Sequence, residues 1–246
     1  MKAALTAAPN HSFIHGMKDG VSIALGYFPA AITFGFLAQT TGLLLQEALV
    51  MSLLVFAGAA QYMALSLIAA GTGALEIIFT TFIVNIRHFL MSASLNEKAL
   101  PDHPLKKAGY AFGLTDEVFA VTSTKDGHVS TGYVYGVFLI SYASWVVFSG
   151  VGHAVGQLLP SVLQQSLTFA LYALFIALLA PSVKKHRKIF FLAALAAVVN
   201  SIFTLIMAEG WAIISATLIA SVVIEWIEPH HTKKTPADVD KEVNAQ

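Results

Sequence analysis

The chain contains no cysteine, which excludes disulfides, thiolate metal sites and cysteine nucleophiles together and leaves its redox compartment unmarked. Charge is almost as scarce. Only 11% of the 246 residues are charged, whereas a soluble domain carries about a quarter, and so few charges cannot cover a water-facing surface. Lys plus Arg balance Asp plus Glu at 14 each, which gives no support to a nucleic-acid partner. The sequence spells out no metal-ligand cluster, serine-histidine-acid arrangement or phosphate loop, and so makes no positive case for catalysis or for a cofactor.

What remains is apolar. Hydrophobic residues make up 57% of the chain, in runs that lack the 3.6-residue polar alternation of a soluble helix surface. Crossing a bilayer takes about 20 such residues, and about seven stretches qualify. They lie near 21–41, 48–70, 75–95, 133–155, 164–182, 189–208 and 211–227. The expected fold is therefore an all-α polytopic membrane protein, solvated by lipid, with about seven transmembrane helices. Residues 1–17 form a polar N-terminal segment, 18–228 the transmembrane domain, and 229–246 a polar tail expected to be disordered. The alanine-rich run after Lys2 stops at Pro9, well short of a secretory h-region, so no cleaved signal peptide is expected.

Most connections are short, which predicts antiparallel neighbours. One is long, from about 96 to 131, and reads as a loop carrying a weakly amphipathic piece, 110–123. Lysine and arginine collect on the cytoplasmic side of membranes. Here they cluster as Lys98, Lys106, Lys107 and Lys125, again as Lys184, Lys185, Arg187 and Lys188, and in the tail as Lys233, Lys234 and Lys241. Seven spans place these groups and the C-terminus in the cytoplasm, and the N-terminus outside with Lys2 and Lys18 against the rule. A rival arrangement makes 110–123 an eighth span, but strands Lys98, Lys106 and Lys107 outside. An echo of Gly26-Tyr27, Phe56 and Asn85 in Gly132-Tyr133, Phe169 and Asn200 admits a 3+3 inverted repeat with one extra C-terminal helix.

A few residues inside these runs invite chemistry. Pro29, mid-way through the first span, removes a backbone donor and frees a carbonyl. Tyr27, Phe28 and Pro29 are thus either a simple kink or an unwound solute-binding segment. In the second span Phe56 and Gly58 sit near Gln61, whose amide suits a zwitterionic ligand or a fastening between helices equally. The third holds Asn85, Arg87 and His88. An arginine at that depth must face a cavity, pair with an acid or snorkel. His88 is placed to pass a proton or to be structural. Thr115 before Asp116 and Glu117 reads as a helix cap, or as acids that meet Arg87 or a substrate ammonium. Glu47 and Glu76 read as acids at helix starts, and Glu225 beside Trp226 as an interfacial anchor.

Taken in order, Leu25-Gly26-Tyr27-Phe28-Pro29 with Phe34-Gly35, then Ser52 to Gln61, Asn85 with Arg87-His88, and Thr115-Asp116-Glu117 with Phe119-Ala120 resemble the AzlC family of branched-chain amino acid exporters. The resemblance covers residues 18–225; Ala31 and Met91 depart from the pattern, at positions expected to be glycine and tyrosine. It implies export of leucine, isoleucine, valine or an analogue such as azaleucine, driven by the proton gradient, with a small AzlD-type membrane subunit as partner. Under it Tyr27, Phe28, Pro29, Phe56, Gly58, Gln61, Asn85 and Arg87 are the substrate-binding candidates, and His88, Asp116 and Glu117 the coupling candidates. The residues by themselves also admit a channel or carrier for another small polar solute, a seven-helix sensor, or an intramembrane enzyme.

Overall fold

The computed structural model describes residues 12–160 and 187–227, with scattered helical positions between 162 and 184. Most of the expected fifth span and the whole tail therefore lie outside the described residues. The chain divides into two compact units, Met1–Ala177 and Leu178–Gln246.

The first unit is built on α1 (Phe13–Thr40) and α8 (Thr131–Val155). Ser12 and Ser130 cap their first turns, each accepting a backbone N–H three residues on. These helices run parallel. Gly16 lies on Tyr133, Gly20 on Val137, Ile32 on Gly152 and Phe36 on Gly156, so both chains advance in step. A Cβ added at Gly16, Gly35, Gly136 or Gly152 meets backbone atoms of the partner helix. Small residues thus bring the two backbones into direct contact, the packing that substitutes for a hydrophobic driving force in lipid. Pro29 does not unwind α1, which stays helical throughout; Thr33 Oγ1 bonds the Pro29 carbonyl at 2.8 Å. A first-to-fourth-span inversion requires α1 and α8 to oppose one another, and they do not.

The expected second span is two helices, α2 (Leu45–Leu54) and α3 (Gly58–Ala69), broken at 55–57. In one continuous helix residues 51 and 61 lie about 15 Å apart. Gln61 Nε2 nevertheless donates to the Met51 carbonyl at 3.0 Å and to the Val55 carbonyl at 2.6 Å, so the chain bends sharply at the break. Contacts give the direction. Leu43 O meets His153 Nε2, Leu53 O meets Tyr142 Oη, and Phe56 reaches Phe138. α2 therefore runs from the far end of α8 inward. α3 then leads back, with Gly58 on Trp145 and the Tyr62 hydroxyl on the Ala30 carbonyl. This segment does not cross; it enters and leaves by one end.

α4 (Ala74–Asn85) and α5 (Arg87–Lys98) join at Ile86 into one 25-residue run. It ends at the near end, where Lys98 Nζ bonds the carbonyls of Ser123 and Lys125. There Ala99 also pairs with Val129. The long connection is neither a surface loop nor an eighth span. α6 (Pro104–Phe112) climbs beside α8, from the Tyr135 hydroxyl on the Lys106 carbonyl to Phe112 on Tyr142. The chain turns at 113–115 with Leu114 fully buried, and α7 (Asp116–Ser123) returns to place Lys125 on Asp19 at 2.8 Å. Two re-entrant hairpins thus enter from opposite ends of the unit.

One consequence corrects the expected topology. Because the second span does not cross, the start of α1 lies at the same end as Lys98 and Lys125. Asp19 Oδ2 accepts from the Tyr133 hydroxyl at 2.6 Å and pairs with Lys125. Lys18 therefore obeys the charge rule instead of breaking it.

In the second unit α9 (Arg187–Phe203) and α10 (Glu209–Ile227) pair antiparallel. Lys188 Nζ meets Glu225 Oε2 at 2.6 Å, joining the start of one to the end of the other. Among the described residues four helices are long and apolar enough to cross a membrane: Phe13–Thr40, Ala74–Lys98, Thr131–Val155 and Gly210–Ile227.

Candidate transport site

Breaking a helix inside an apolar unit strands its last carbonyls, which lipid cannot satisfy. At the first hairpin side chains take that role. Gln61 bonds the Met51 and Val55 carbonyls, and the Tyr142 hydroxyl bonds the Leu53 carbonyl at 2.8 Å. Gln61 Oε1 in turn accepts from Trp145 Nε1 at 2.8 Å. Both amide protons and one oxygen lone pair are used, and the residue is 0% exposed. Of the two roles open to this amide, the geometry shows the fastening.

The first tip meets an aromatic cluster on α1 and α8. Tyr27 packs edge-on to Trp145 at 5.2 Å and to Phe56 at 6.0 Å, while Phe56 packs edge-on to Tyr142 at 5.2 Å. Gly58 lies against the Trp145 ring, where a Cβ would come within 2.9 Å. Tyr27 stands about 21 Å along α1 from Phe13, so this cluster is at mid-depth.

The second tip arrives from the other side. Tyr27 Oη lies 2.8 Å from Thr115 Oγ1 and 2.6 Å from Glu117 Oε2. A phenol has one proton and a carboxylate only accepts, so Tyr27 donates to Glu117 and the Thr115 hydroxyl is left to donate to Tyr27. Thr115 also caps α7, accepting from Val118 N at 3.3 Å. Beside it Arg87 Nη1 pairs with Asp116 Oδ2 at 2.8 Å. The side chains remain 46% and 35% exposed, and Arg87 retains donors beyond the one that Asp116 uses. His88 adjoins the pair, close enough to feel Asp116 and Glu117. Asn85 Oδ1 is buried with no hydrogen-bond partner.

The structure thus gathers Tyr27, Phe56, Gly58, Gln61, Arg87, His88, Asp116 and Glu117 around two meeting tips. It does not gather Phe28 and Pro29. Both face outward, and Phe28 packs edge-on to Phe148 at 4.6 Å, because the residue next to Tyr27 on a helix points about 100° away. Sequence reasoning missed Phe138, Tyr142 and Trp145. Their spacing of four and three residues marks one helical face and was the available signal. His153, unassigned from sequence, bonds the Leu43 carbonyl at 2.8 Å and ties α8 to the entry of the first hairpin.

A bundle of apolar helices that holds an ion pair and two broken tips at mid-depth defines an integral membrane protein organised around a polar interior. The chain belongs to the AzlC protein family, which matches residues 22–159. It is 33% identical to the "Inner membrane protein YgaZ" of Escherichia coli (strain K12), over 75% of this chain and 78% of that one. An "Uncharacterized membrane protein" of Archaeoglobus fulgidus is 36% identical over 70% of this chain and 76% of its own. The "Branched-chain amino acid transport protein AzlC" of Bacillus subtilis (strain 168) is 26% identical over 68% and 66%. No solved structure matches.

Proposed function

We propose that the protein is a secondary transporter that exports branched-chain amino acids across the bacterial cytoplasmic membrane, coupled to protons and working with a small AzlD-type subunit. The observation that carries the reading is the meeting of two broken tips at mid-depth, with the Arg87–Asp116 pair at the second and an aromatic wall at the first. The name of the Bacillus relative supports the substrate class.

On this reading Arg87 takes the substrate carboxylate, because a guanidinium offers a planar fork of donors beyond the one Asp116 uses, and Asn85, whose unpartnered oxygen only accepts, takes the ammonium. Phe56, Phe138 and Tyr142 receive the branched side chain. Tyr27, Gly58 and Gln61 hold the walls in place, whereas Phe28 and Pro29 belong to the outer surface. Glu117, Asp116 and His88 are the coupling groups. By the charge rule the end that carries Lys18, Lys98, Lys106, Lys107 and Lys125 faces the cytoplasm, as does the lysine-bearing tail.

The test is efflux from proteoliposomes loaded with labelled valine or leucine, under an imposed pH gradient, with and without the small subunit. Accelerated efflux with the gradient, competed by branched-chain and not by acidic amino acids, is the expected result. Efflux that ignores both gradient and substrate side chain would discard the reading in favour of a general channel.

A further inference from the structure

The two hairpin tips are held by different chemistry. Neutral groups fasten the first: Gln61 to two carbonyls and to Trp145, Tyr142 to the Leu53 carbonyl, and Tyr62 to the Ala30 carbonyl. None of these contacts at the tip involves a carboxylate; the titratable groups of this hairpin, His153 on the Leu43 carbonyl and Glu47 on Leu44 N, lie at its entry. The second is fastened chiefly by charge, through Arg87 to Asp116 at 2.8 Å and Tyr27 to Glu117 at 2.6 Å, beside one neutral bond between Thr115 and Tyr27. Hydrogen bonds to an ionised acceptor are about twice as strong as neutral ones. A proton on Glu117 therefore weakens its hold on Tyr27.

The surroundings single out Glu117. Arg87 pairs with Asp116, whereas no ion pair is formed by Glu117 among the described residues. The groups that face it are Tyr27 from α1, His88 from α5, and Asp116 on its own helix, with Arg87 held on Asp116. α8 brings aromatic rings and contains no Asp, Glu, Lys or Arg. Glu117 is thus the acid at this crossing that lacks a fixed cation.

We propose that the second hairpin is the moving gate, that the Tyr27–Glu117 bond is its latch, released by protonation of Glu117, and that the first hairpin is the fixed wall. The inference rests on the transport reading. The gate enters from the lysine-bearing end, so its release opens the site toward the cytoplasm. A proton arriving from outside neutralises Glu117 and frees the tip. The amino acid then loads from the cytoplasm as the proton departs there, the Tyr27 hydroxyl donates to the carboxylate again, and the gate closes beneath the substrate. One proton enters as one substrate is committed outward, with no other reactant required.

The absence of native cysteine makes the test direct. Leu114→Cys at the second tip and Ala57→Cys at the first are each placed in the full chain in membrane vesicles. Labelling by an impermeant maleimide from the cytoplasmic face is then followed, each rate normalised to the same variant unfolded at the same pH, since thiolate is the reactive form. Acidification is expected to speed labelling at Leu114→Cys roughly tenfold, the population shift for weakening one charge-assisted bond. Tyr27→Phe and Glu117→Gln are expected to give the fast rate at every pH, and Ala57→Cys to stay slow throughout. Should Leu114→Cys fail to fold, Phe112→Cys reports the same movement. A Leu114→Cys rate indifferent to pH, a pH response that survives Tyr27→Phe, or opening at Ala57→Cys instead overturns the proposal. The labelling needs no substrate, so its failure leaves the export reading standing, and a failed efflux assay leaves the latch standing.

Discussion

Trp145 Nε1 donates to Gln61 Oε1 across 2.8 Å, and this bond ties the middle of α8 to the first turns of a helix that begins inside the unit. The same amide satisfies two carbonyls left open by the break before it. A residue so committed should behave as structure. Gln61→Leu is expected to cost about 2–4 kcal/mol, the loss of buried hydrogen bonds whose partners stay unsatisfied. Thermal unfolding in detergent measures it, together with the yield of folded protein. The apparent affinity of what folds should be unchanged; a weakened affinity at full stability would return Gln61 to the substrate.

Arg87→Ala is expected to abolish efflux while leaving normal amounts of protein in the membrane. The informative companion is the double variant Arg87→Ala with Asp116→Asn, which removes both charges of the pair. If the pair only balances charge, the double variant recovers activity. Continued inactivity, read by the same efflux assay, is the expected result and assigns Arg87 to the solute.

The contact between α1 and α8 leaves no room for side chains at its glycines. A Cβ at Gly152 meets the backbone of Ile32, and one at Gly35 meets backbone atoms at Ser149 and His153. Gly152→Leu should therefore destabilise the pair by about 3 kcal/mol or more, since backbone cannot yield as a flexible side chain does. Gly26→Leu is the control, because nothing lies within 4 Å of a Cβ there. Equal stability of the two variants would contradict the close parallel packing.

Topology offers the most direct check. Gln46→Cys and Thr72→Cys flank the first hairpin and are expected to react with an impermeant maleimide from one face. Asp19→Cys and Lys125→Cys should react from the opposite face. Labelling of Gln46→Cys and Thr72→Cys from opposite faces would mean that the second apolar stretch crosses after all.

Much of the site was legible. Arg87 had to face a cavity, pair with an acid or snorkel, and Asp116 and Glu117 were the acids offered; it pairs with Asp116, since an unpaired charge in an apolar unit is costly. Thr115 was readable as a cap, and it caps. The parts that were not legible share a cause. Pro29 admitted either a kink or an opened helix, and α1 runs through it, with Thr33 bonding its carbonyl. The openings fall instead at 55–57 and 113–115, neither of which contains proline.

Residence in a membrane follows from composition, because lipid is the solvent that accepts long apolar runs with so few charges, wherever those runs lie in the fold. Helix starts at Ser12, Thr115 and Ser130 follow from side chains acting on the next turn of their own chain. Which apolar stretch crosses and which turns back is another matter. An interrupted helix persists only where partners receive its stranded carbonyls, and here they come from Gln61, across the turn, and from Tyr142, 89 residues further along the chain. Bonds that close over such separations exist only once α1 and α8 have packed, so the direction of each hairpin, and with it the side on which the chain begins, was decided by the tertiary structure.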